Sequence, residues 1–429
     1  MQLFYPNIQW NLFQKISFRF FFLFILLFIF PFPLDTLLFF IPKISEAWFS
    51  FLDSIIPFFG RSVLGIDHPI PMEENGSGDK TKNYISLFIF FIVSLAFTIV
   101  WSFFDRKRKS YDTLFHYFLI ICRYYLAFVL IGYGLHKVFK LQMSEISLGQ
   151  LLMPIGDQSP MGLAWKFIGY SDIYCRFSGW CEVIPGILLM FRRTTLLGGL
   201  ISLTVMFNVM IMNYAYDIPV KIYSTFLVVI TIVILSPYST KLFNILLLSK
   251  KTCDAAEIKP LFAKGLKRTI AYALKAIIII FLLGSSYSDA KEMNTTWGEA
   301  APKPPLYGIY KTEVFIRNND TIPLYSDSTA WKHLVFNKYR NISVYRFSDK
   351  RSAWNAITDT VQKTIEAKDI NGPSVQFKIN YTKINDSIFV FSGIVKKDTL
   401  KIITKHYSRE NFNLYNIKFN WINEFPNNQ

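Results

Sequence analysis

Long apolar runs separated by short basic clusters dominate the first two thirds of this 429-residue chain. A helix needs about 20 mostly apolar residues to cross the hydrocarbon of a bilayer. Seven runs approach or exceed that length: 17–40, 84–104, 113–139, 172–191, 194–214, 222–247 and 269–283. The pattern therefore predicts an all-α transmembrane bundle of about seven spans, of which the last is only just long enough.

The charged residues support this interpretation and indicate an orientation. Only 18% of residues are charged, although the net charge is +16. Many of the Lys and Arg residues stand in short loops between apolar runs, where they mark the cytoplasmic side of a membrane protein. The basic loops 105–109, 192–193 and 250–268 all fall on that side if the N-terminus is cytoplasmic. This distribution argues against nucleic-acid binding and predicts that residues from about 285 onward lie outside.

The first apolar run is predicted to be an anchor rather than a cleaved signal peptide. A signal peptide has an apolar core of about 7–15 residues followed by a site of small residues. The run here is longer, contains Pro31 and Pro33, and shows no such site. The four cysteines, Cys122, Cys175, Cys181 and Cys253, form neither a disulfide framework nor zinc-site spacing. We expect free apolar cysteines and no metal site.

The loops on the predicted outer side contain structured elements. Residues Glu46–Ile66 are rich in Trp and Phe, which is typical of a helix lying at the membrane interface. Ser159 and Pro160 are good helix-starting residues and predict a short helix through Met161–Ile168. Between them, residues Asn75–Asp79 predict a flexible turn.

After the last span the pattern changes to the two-residue alternation of β-strands. Alternating segments centre on 310–316, 375–381 and 415–421, and Asn- and Asp-rich turns separate them. Six to nine short strands predict a C-terminal all-β meander that closes into a small barrel or sandwich. Gly308–Tyr310 and the meander resemble lipocalin-like barrels, and we favour an interior filled with side chains over an open cavity. We expect His333 and His406 to lie on the surface.

These patterns divide the chain into four predicted segments. Residues 1–110 form two N-terminal spans with an amphipathic outer loop, and residues 111–250 form a four-helix transmembrane core. Residues 251–284 form a cytoplasmic loop and the seventh span, and residues 285–429 form the β-rich domain.

Ionisable residues inside spans are costly and are the default candidates for function. Arg123 in the third span and Glu182 in the fourth both fall near the middle of the membrane. We predict that they form a buried ion pair. His116, Arg123 and Lys137 lie on one side of the third span, because seven-residue steps rotate by only about 20°.

Further polar candidates lie in and after the fifth span. They are Asn208, Asn213, Asp217 and Lys221, and the last two belong to the turn before the sixth span. Three roles stay open for the whole set: a lock between helices, a polar binding cavity, and a path for protons or electrons. A polar headgroup or a quinone ring fits the second role.

The central spans carry motifs that resemble the DoxX/DoxD-like membrane family. They are RYYLA at 123–127, GYGLHKVF at 132–139, GWCEVIPG at 179–186 and RRTTLLG at 192–198. The segments NGSGD at 75–79, DIPVK at 217–221 and WINEFP at 421–426 resemble the extended DoxX-like proteins of Bacteroidetes-type bacteria. This resemblance implies a four-helix transmembrane core, a bacterial inner membrane and a periplasmic C-terminal domain. DoxD-type members imply a quinone partner through thiosulfate:quinone oxidoreductase.

The sequence leaves both binding protein and enzyme open. We favour a DoxX-like inner-membrane protein that binds a lipid, a quinone or a protein partner in a polar cavity of its bundle. The alternative is a subunit of a quinone-linked membrane oxidoreductase of the thiosulfate:quinone type. No cofactor is evident from the sequence, although a quinone is compatible with it, and membrane lipids are expected partners.

Overall fold

The computed structural model describes residues 9–37, 43–250, 265–339, 341–370, 372, 374–417 and 419–426. The chain forms two compact units. The first comprises the described residues of 1–142 and 171–291, and the second comprises residues 143–170 and the described residues of 292–429. Cys253 and most of the predicted basic loop 250–268 lie outside the described residues.

The first unit is helical. Its helices are α1 (Leu12–Ile29), α2 (Leu34–Leu37), α3 (Lys43–Ser62), α4 (Thr81–Phe104), α5 (Asp112–Val138), α8 (Asp172–Met190), α9 (Thr195–Ala215), α10 (Lys221–Leu235), α11 (Ser239–Leu246) and α12 (Leu266–Thr296). Helices α6 (Leu148–Leu151) and α7 (Pro160–Tyr170) belong to the second unit. Seven of the described helical stretches are long and apolar enough to cross a membrane. The chain is a multi-pass membrane protein, as predicted.

Proline accounts for two differences between the predicted and observed spans. The first helix ends at Ile29, just before Pro31 and Pro33, whereas the apolar run continues to Phe40. In the sixth span, Pro237 lies in a 3₁₀ turn that separates α10 from α11. Proline lacks the N–H that a continuing helix needs. The seventh helix is longer than predicted, because its polar residues beyond Leu283 remain helical to Thr296.

Four helices form a closed ring within the helical unit. Helix α5 packs against α8, α8 against α9, α9 against α10, and α10 against α5. Helix α1 packs against α5 of this ring, α4 packs against α1, and α3 packs against α4 with Leu52, Ile56 and Gly60 on its buried face. The predicted helix at 46–66 is therefore present. One continuous hydrophobic core runs from Trp10 on the α1 side to Ile234 in α10.

The second unit is a closed antiparallel β-barrel of eight strands with one short additional strand. Its strands are β1 (Gly308–Arg317), β2 (Asp320–Ile322), β3 (Trp331–Phe336), β4 (Asn341–Arg346), β5 (Arg351–Asp359), β6 (Thr364–Lys368), β7 (Val375–Lys383), β8 (Ile388–Val395) and β9 (Asp398–Tyr407). β1 pairs with β3, each of β3 to β8 pairs with the strand that follows it, and β9 pairs with β1 to close the barrel. The predicted meander is confirmed.

The interior of the barrel contains a continuous cluster of large side chains. Tyr310 is buried, and its ring lies 5.0–5.5 Å from the rings of Phe336, Phe389 and Phe391. His406 also faces this cluster, with its ring centre 5.1 Å from that of Tyr310. Large aromatic side chains therefore form part of the core of the barrel.

Two expectations for the β domain are wrong. The described residues of 415–421 form no strand, and Asn413–Asn416 is a short helix, α13. Closure of the barrel occupies both edges of β9, the last strand before this segment, because β9 pairs with β8 and with β1. His333 and His406 are both partly buried rather than on the surface. Burial, together with the nearby Lys332 and Lys311, lowers the pKa of His333 to about 4.

The segment between α5 and α8 folds with the barrel rather than with the four-helix core predicted for 111–250. It contains α6 (Leu148–Leu151) and α7 (Pro160–Tyr170), and Ser159 caps α7 by accepting a hydrogen bond from Gly162 N at 3.1 Å. Leu148 packs on Ile309 and Val335 of the barrel wall. Glu145 forms an ion pair with Arg409.

This arrangement constrains the topology. Residues 143–170 and 292–426 build one compact unit, so both segments must lie on the same side of the membrane. The chain between them contains four of the candidate spans, the last of which is α12. Four crossings return the chain to the same side and three do not. The presence of these two segments in one unit therefore supports the assignment of the seventh helix, α12, as a membrane span.

Candidate functional site

The buried ion pair of the helical unit joins Lys137 of α5 to Glu182 of α8. Glu182 is 1% exposed and Lys137 is 5% exposed. The predicted pair of Arg123 with Glu182 is wrong. Arg123 stands fourteen residues before Lys137, which corresponds to about 21 Å along a helix axis.

The direction of helical side chains explains this pairing. Side chains on a helix lean toward its N-terminus. Helices α5 and α8 are antiparallel neighbours, so Lys137 leans back from the end of α5 while Glu182 leans toward the start of α8. The two charged groups therefore approach each other. Glu182 Oε2 is buried and has no hydrogen-bond partner among the described residues.

Glycines allow the two helices to approach closely at this pair. A Cβ on Gly134 would lie 2.6 Å from a methyl group of Val183 and 2.7 Å from the carbonyl oxygen of Gly179. A Cβ on Gly186 would lie 2.9 Å from the carbonyl oxygen of Ala127. Close approach through small residues is typical of helix contacts in membranes. The ion pair thus lies in a tightly packed contact between α5 and α8.

The other predicted site residues are not gathered around this pair. Arg123 is buried beside Tyr124, with its guanidinium carbon 5.6 Å from the ring centre. His116 is half-buried farther toward the start of α5, and Asn208 is exposed on α9. Asn213 is buried near the end of α9. The predicted stripe is therefore not one site.

Asp217 and Lys221 meet in the turn between α9 and α10, where their charged groups lie 2.7 Å apart. A residue that sequence reasoning did not single out completes this turn. Asp79 accepts hydrogen bonds from the backbone N–H groups of Lys221 at 2.8 Å and Ile222 at 3.0 Å. These N–H groups have no partner within the helix. Asp79 therefore caps α10 from a distant part of the chain.

The NGSGD and DIPVK segments thus lie against each other. Gly78 N donates to the carbonyl oxygen of Pro219 at 2.8 Å, next to the cap made by Asp79. Neither segment alone signals this contact. The aspartate that ends a turn of small residues was the available sequence signal, because Asp is among the best helix-capping residues.

A cavity of about 450 Å³ opens beside this contact, and we call it the α3–α4 cavity. Its apolar wall comes from α1, α3 and α4, and its polar groups come from α3, α4, α5, α10 and the 74–78 turn. The apolar wall includes Leu27, Phe28, Phe30, Trp48, Leu52, Ile56 and Phe90. The polar groups are Asp53, Glu74, Ser77, Lys82, Asn83, Ser86, Tyr133 and Tyr223. This size falls within the roughly 300–1,000 Å³ range of small-molecule sites.

The charges at this cavity balance. Lys82 is 7% exposed, and its ammonium lies 2.6 Å from Glu74 and 3.8 Å from Asp53. It also donates to the carbonyl oxygen of Met72 at 2.7 Å. Lys80 lies 3.2 Å from the other oxygen of Glu74. Hydrogen bonds from Lys82 and Lys80 hold the pKa of Glu74 below its ordinary value. Two lysines thus face two carboxylates, and the site has little net charge.

Tyrosines connect the cavity to the four-helix ring. Tyr133 and Tyr223 line the cavity, with ring centres 6.1 Å apart. The hydroxyl of Tyr223 lies 3.2 Å from that of Tyr125. Tyr133 stands one turn before Lys137 on α5, so the Lys137–Glu182 pair supports the helix segment that presents Tyr133. The cavity therefore combines aromatic walls with neutral hydrogen-bonding groups.

The described residues contain no cluster of His, Cys, Asp or Glu that fits a metal ion. Among the described residues, Cys122, Cys175 and Cys181 form no disulfide, and the thiol of Cys175 donates a hydrogen bond to the carbonyl oxygen of Lys137 at 3.4 Å.

The fold and the cavity define a class: a multi-pass membrane protein with a helical unit that contains a polar cavity, and with a closed β-barrel unit. Over 128 residues the chain is 35% identical to the uncharacterized protein YwoB of Bacillus subtilis strain 168. The similar region covers 30% of this chain and 77% of YwoB. The chain belongs to the family of YwoB. No family model matches the chain, and no solved structure matches it.

Proposed function

We propose that this protein is a membrane-bound binding protein whose α3–α4 cavity holds the head of a neutral amphiphile, and that a quinone is the ligand class. The observation that carries the proposal is the combination of an apolar aromatic wall with a charge-balanced polar rim. An apolar wall accommodates a hydrocarbon tail and the faces of a ring. A few well-placed polar groups orient the head.

The balance of charge favours a neutral head over an anionic one. Lys82 and Lys80 already have carboxylate partners, so an incoming anion would have to displace Glu74 or Asp53. A quinone oxygen needs only a hydrogen-bond donor. The hydroxyls of Tyr133 and Tyr223 and the side-chain amide of Asn83 supply donors.

In this proposal the Lys137–Glu182 pair serves as a lock between α5 and α8 rather than as the ligand site. Asp79, which follows the 74–78 turn at the rim of the cavity, accepts hydrogen bonds from the first N–H groups of α10. Helix α10 in turn places Tyr223 at the cavity. The DoxX-like assignment, the inner membrane and a periplasmic barrel belong to the same proposal. The motifs of the central spans and the positions of the basic loops support them.

The test is purification of the full chain in mild detergent, followed by solvent extraction and chromatography of bound quinone. We expect quinone to accompany the wild type and a short-chain quinone analogue to bind saturably. Ser86→Phe places a ring in the cavity and should abolish both. The control Ser54→Phe adds the same ring to the exposed side of α3 and should retain both.

Absence of quinone from the wild type, together with equal analogue binding by Ser86→Phe and Ser54→Phe, would contradict the proposal. Thiosulfate oxidation coupled to quinone reduction, measured on the same preparation, distinguishes the binding protein from the oxidoreductase subunit. We expect binding without such turnover.

A further inference from the structure

A second concave site of about 440 Å³ lies on another side of the helical unit, between the turn after α1, helix α5 and helix α12. We call it the α5–α12 groove. Its walls are almost wholly hydrocarbon and include Phe32, Ile121, Phe128 and Ile278. Tyr124 and Lys275 are its polar members. The groove has the shape and surface of a site for an acyl chain with a cation at one end.

Two cations meet at the Tyr124 ring. The Lys275 ammonium lies 5.7 Å from the ring centre, and the Arg123 guanidinium carbon lies 5.6 Å from it. Lys275 donates one hydrogen bond, at 2.8 Å, to the carbonyl oxygen of Met190 at the end of α8. A lysine ammonium has three donors. Lys275 therefore retains donors for a ligand.

Neither cation has a carboxylate partner among the described residues. Arg123 is 9% exposed, and its Nε is buried without a hydrogen-bond partner in that part of the chain. Cations inside a membrane protein are costly unless they are paired. Within the described part of the chain, the site thus carries two positive charges without a carboxylate to balance them, in contrast to the balanced α3–α4 cavity.

We propose that the α5–α12 groove binds an anionic phospholipid, with its phosphate on Lys275 in the field of Arg123 and one acyl chain along the groove. Charge complementarity selects an anionic head. The hydrocarbon walls select a chain-bearing molecule over a free anion. Basic sites between transmembrane helices on the cytoplasmic side are suited to anionic lipid heads. Lys275 lies toward the end of α12 that is predicted to be cytoplasmic.

This lipid site is separate from the proposed quinone cavity in its residues and in its charge. Loss of quinone binding in Ser86→Phe should leave anionic lipid binding unchanged. The two proposals can therefore fail independently.

The experiment is native mass spectrometry of the full chain in mixed micelles that contain equal amounts of phosphatidylglycerol and phosphatidylethanolamine. We expect preferential binding of phosphatidylglycerol to the wild type. Lys275→Gln should weaken that binding about tenfold or more, because it removes a charge-assisted hydrogen bond. Lys250→Gln removes an exposed lysine outside the groove and should have no effect.

Two variants of α12 that each add a bulky side chain test whether an acyl chain lies in the groove. Ile278→Trp fills the groove and should weaken phosphatidylglycerol binding by a similar factor. Ile280→Trp adds the same bulk two residues away, at a side chain that is 70% exposed and does not line the groove. It should bind as the wild type does.

Three results would overturn the proposal. One is equal binding of phosphatidylethanolamine and phosphatidylglycerol by the wild type. Another is unchanged phosphatidylglycerol binding in both Lys275→Gln and Ile278→Trp. The third is full displacement of phosphatidylglycerol by millimolar inorganic phosphate, which would identify a free-anion site instead of a lipid site.

Discussion

Lys137 and Glu182 carry opposite charges in a part of the helical unit where neither side chain reaches solvent. Removal of one partner leaves the other buried and unpaired. We expect Glu182→Leu to lower the free energy of unfolding by roughly 3–5 kcal/mol. Lys137→Met in the same chain should recover most of the loss, because the pair is then replaced by apolar groups.

Unfolding of the full chain in detergent, followed by tryptophan fluorescence, measures this effect. The control is Arg176→Gln near the start of α8, where both Arg176 and its partner Asp172 are half-exposed and Asp172 keeps Lys140 as a second partner. That change should cost about 1 kcal/mol or less. A Glu182→Leu variant as stable as the control would refute the lock.

His333 makes the stability of the barrel depend on pH. Its pKa in the folded protein is about 4, whereas an ordinary histidine has a pKa of about 6.5. Between these values the unfolded state binds more protons than the folded state, so the free energy of unfolding rises with pH. The full stability is present above pH 6.5 and is lost as the pH falls toward 4.

Because His333 is partly exposed, we expect the loss to be roughly 1–2 kcal/mol. Hydrogen exchange of β3 and β4 peptides in the full chain, compared at pH 7 and pH 5, provides the measurement. His333→Gln should remove most of the difference. An unchanged pH dependence in that variant would exclude His333 as its source.

At the scale of elements, the contact between α5 and α8 depends on the absence of side chains at particular positions. A Cβ at Gly134 would collide with Val183 and Gly179, whereas a Cβ at Gly132 would meet nothing within 4 Å. We expect Gly134→Ala to cost about 1–3 kcal/mol through overpacking. Gly132→Ala should be neutral or stabilising by up to about 1 kcal/mol, because Ala favours helix. Thermal unfolding of the two variants compares them directly.

The start of α10 depends on a carboxylate from another part of the chain. Asp79→Ala removes both hydrogen bonds to the first N–H groups of α10 and should cost about 1–2 kcal/mol. Asp217→Asn removes an exposed charge beside the same helix, keeps a residue type that tolerates the φ of +50° at this position, and should cost less than about 1 kcal/mol. The same unfolding assay applies, and equal losses in the two variants would argue against the cap.

At the scale of the whole molecule, the second unit contains both the segment 143–170 and the described residues after 292. We therefore expect positions in these two segments to lie on the same side of the membrane. Ile155→Cys and Val361→Cys, both at exposed side chains, should react together with an impermeant maleimide added to intact spheroplasts. Lys107→Cys should react only after permeabilisation. These variants are made in a chain without its native cysteines.

Labelling of Ile155→Cys and Val361→Cys from opposite sides would mean that α12 does not cross the membrane. Labelling of both only after permeabilisation would reverse the predicted orientation and leave the span count intact.

The candidate site was only partly predictable, and the residues show why. Glu182 and Lys137 were both recognisable as costly charges within apolar runs. Their pairing was not predictable in the same way. The expected depth in the membrane suggested Arg123 as the partner of Glu182, whereas the direction of the side chains makes Lys137 its partner. Asp79, Lys82 and Tyr133 were not singled out, because they form a cavity only when α4, α5 and the turn before α10 lie together.

The amino-acid pattern by itself determined the seven spans and the meander of strands, because both depend on local hydrophobic periodicity. Residues 415–421 show the limit of that signal. Their alternation is typical of a strand, yet both edges of the preceding strand β9 are already paired, with β8 and with β1. Only the tertiary structure decided which charges pair, which turn caps α10 and which loop joins the barrel, because these contacts unite residues that are far apart along the chain.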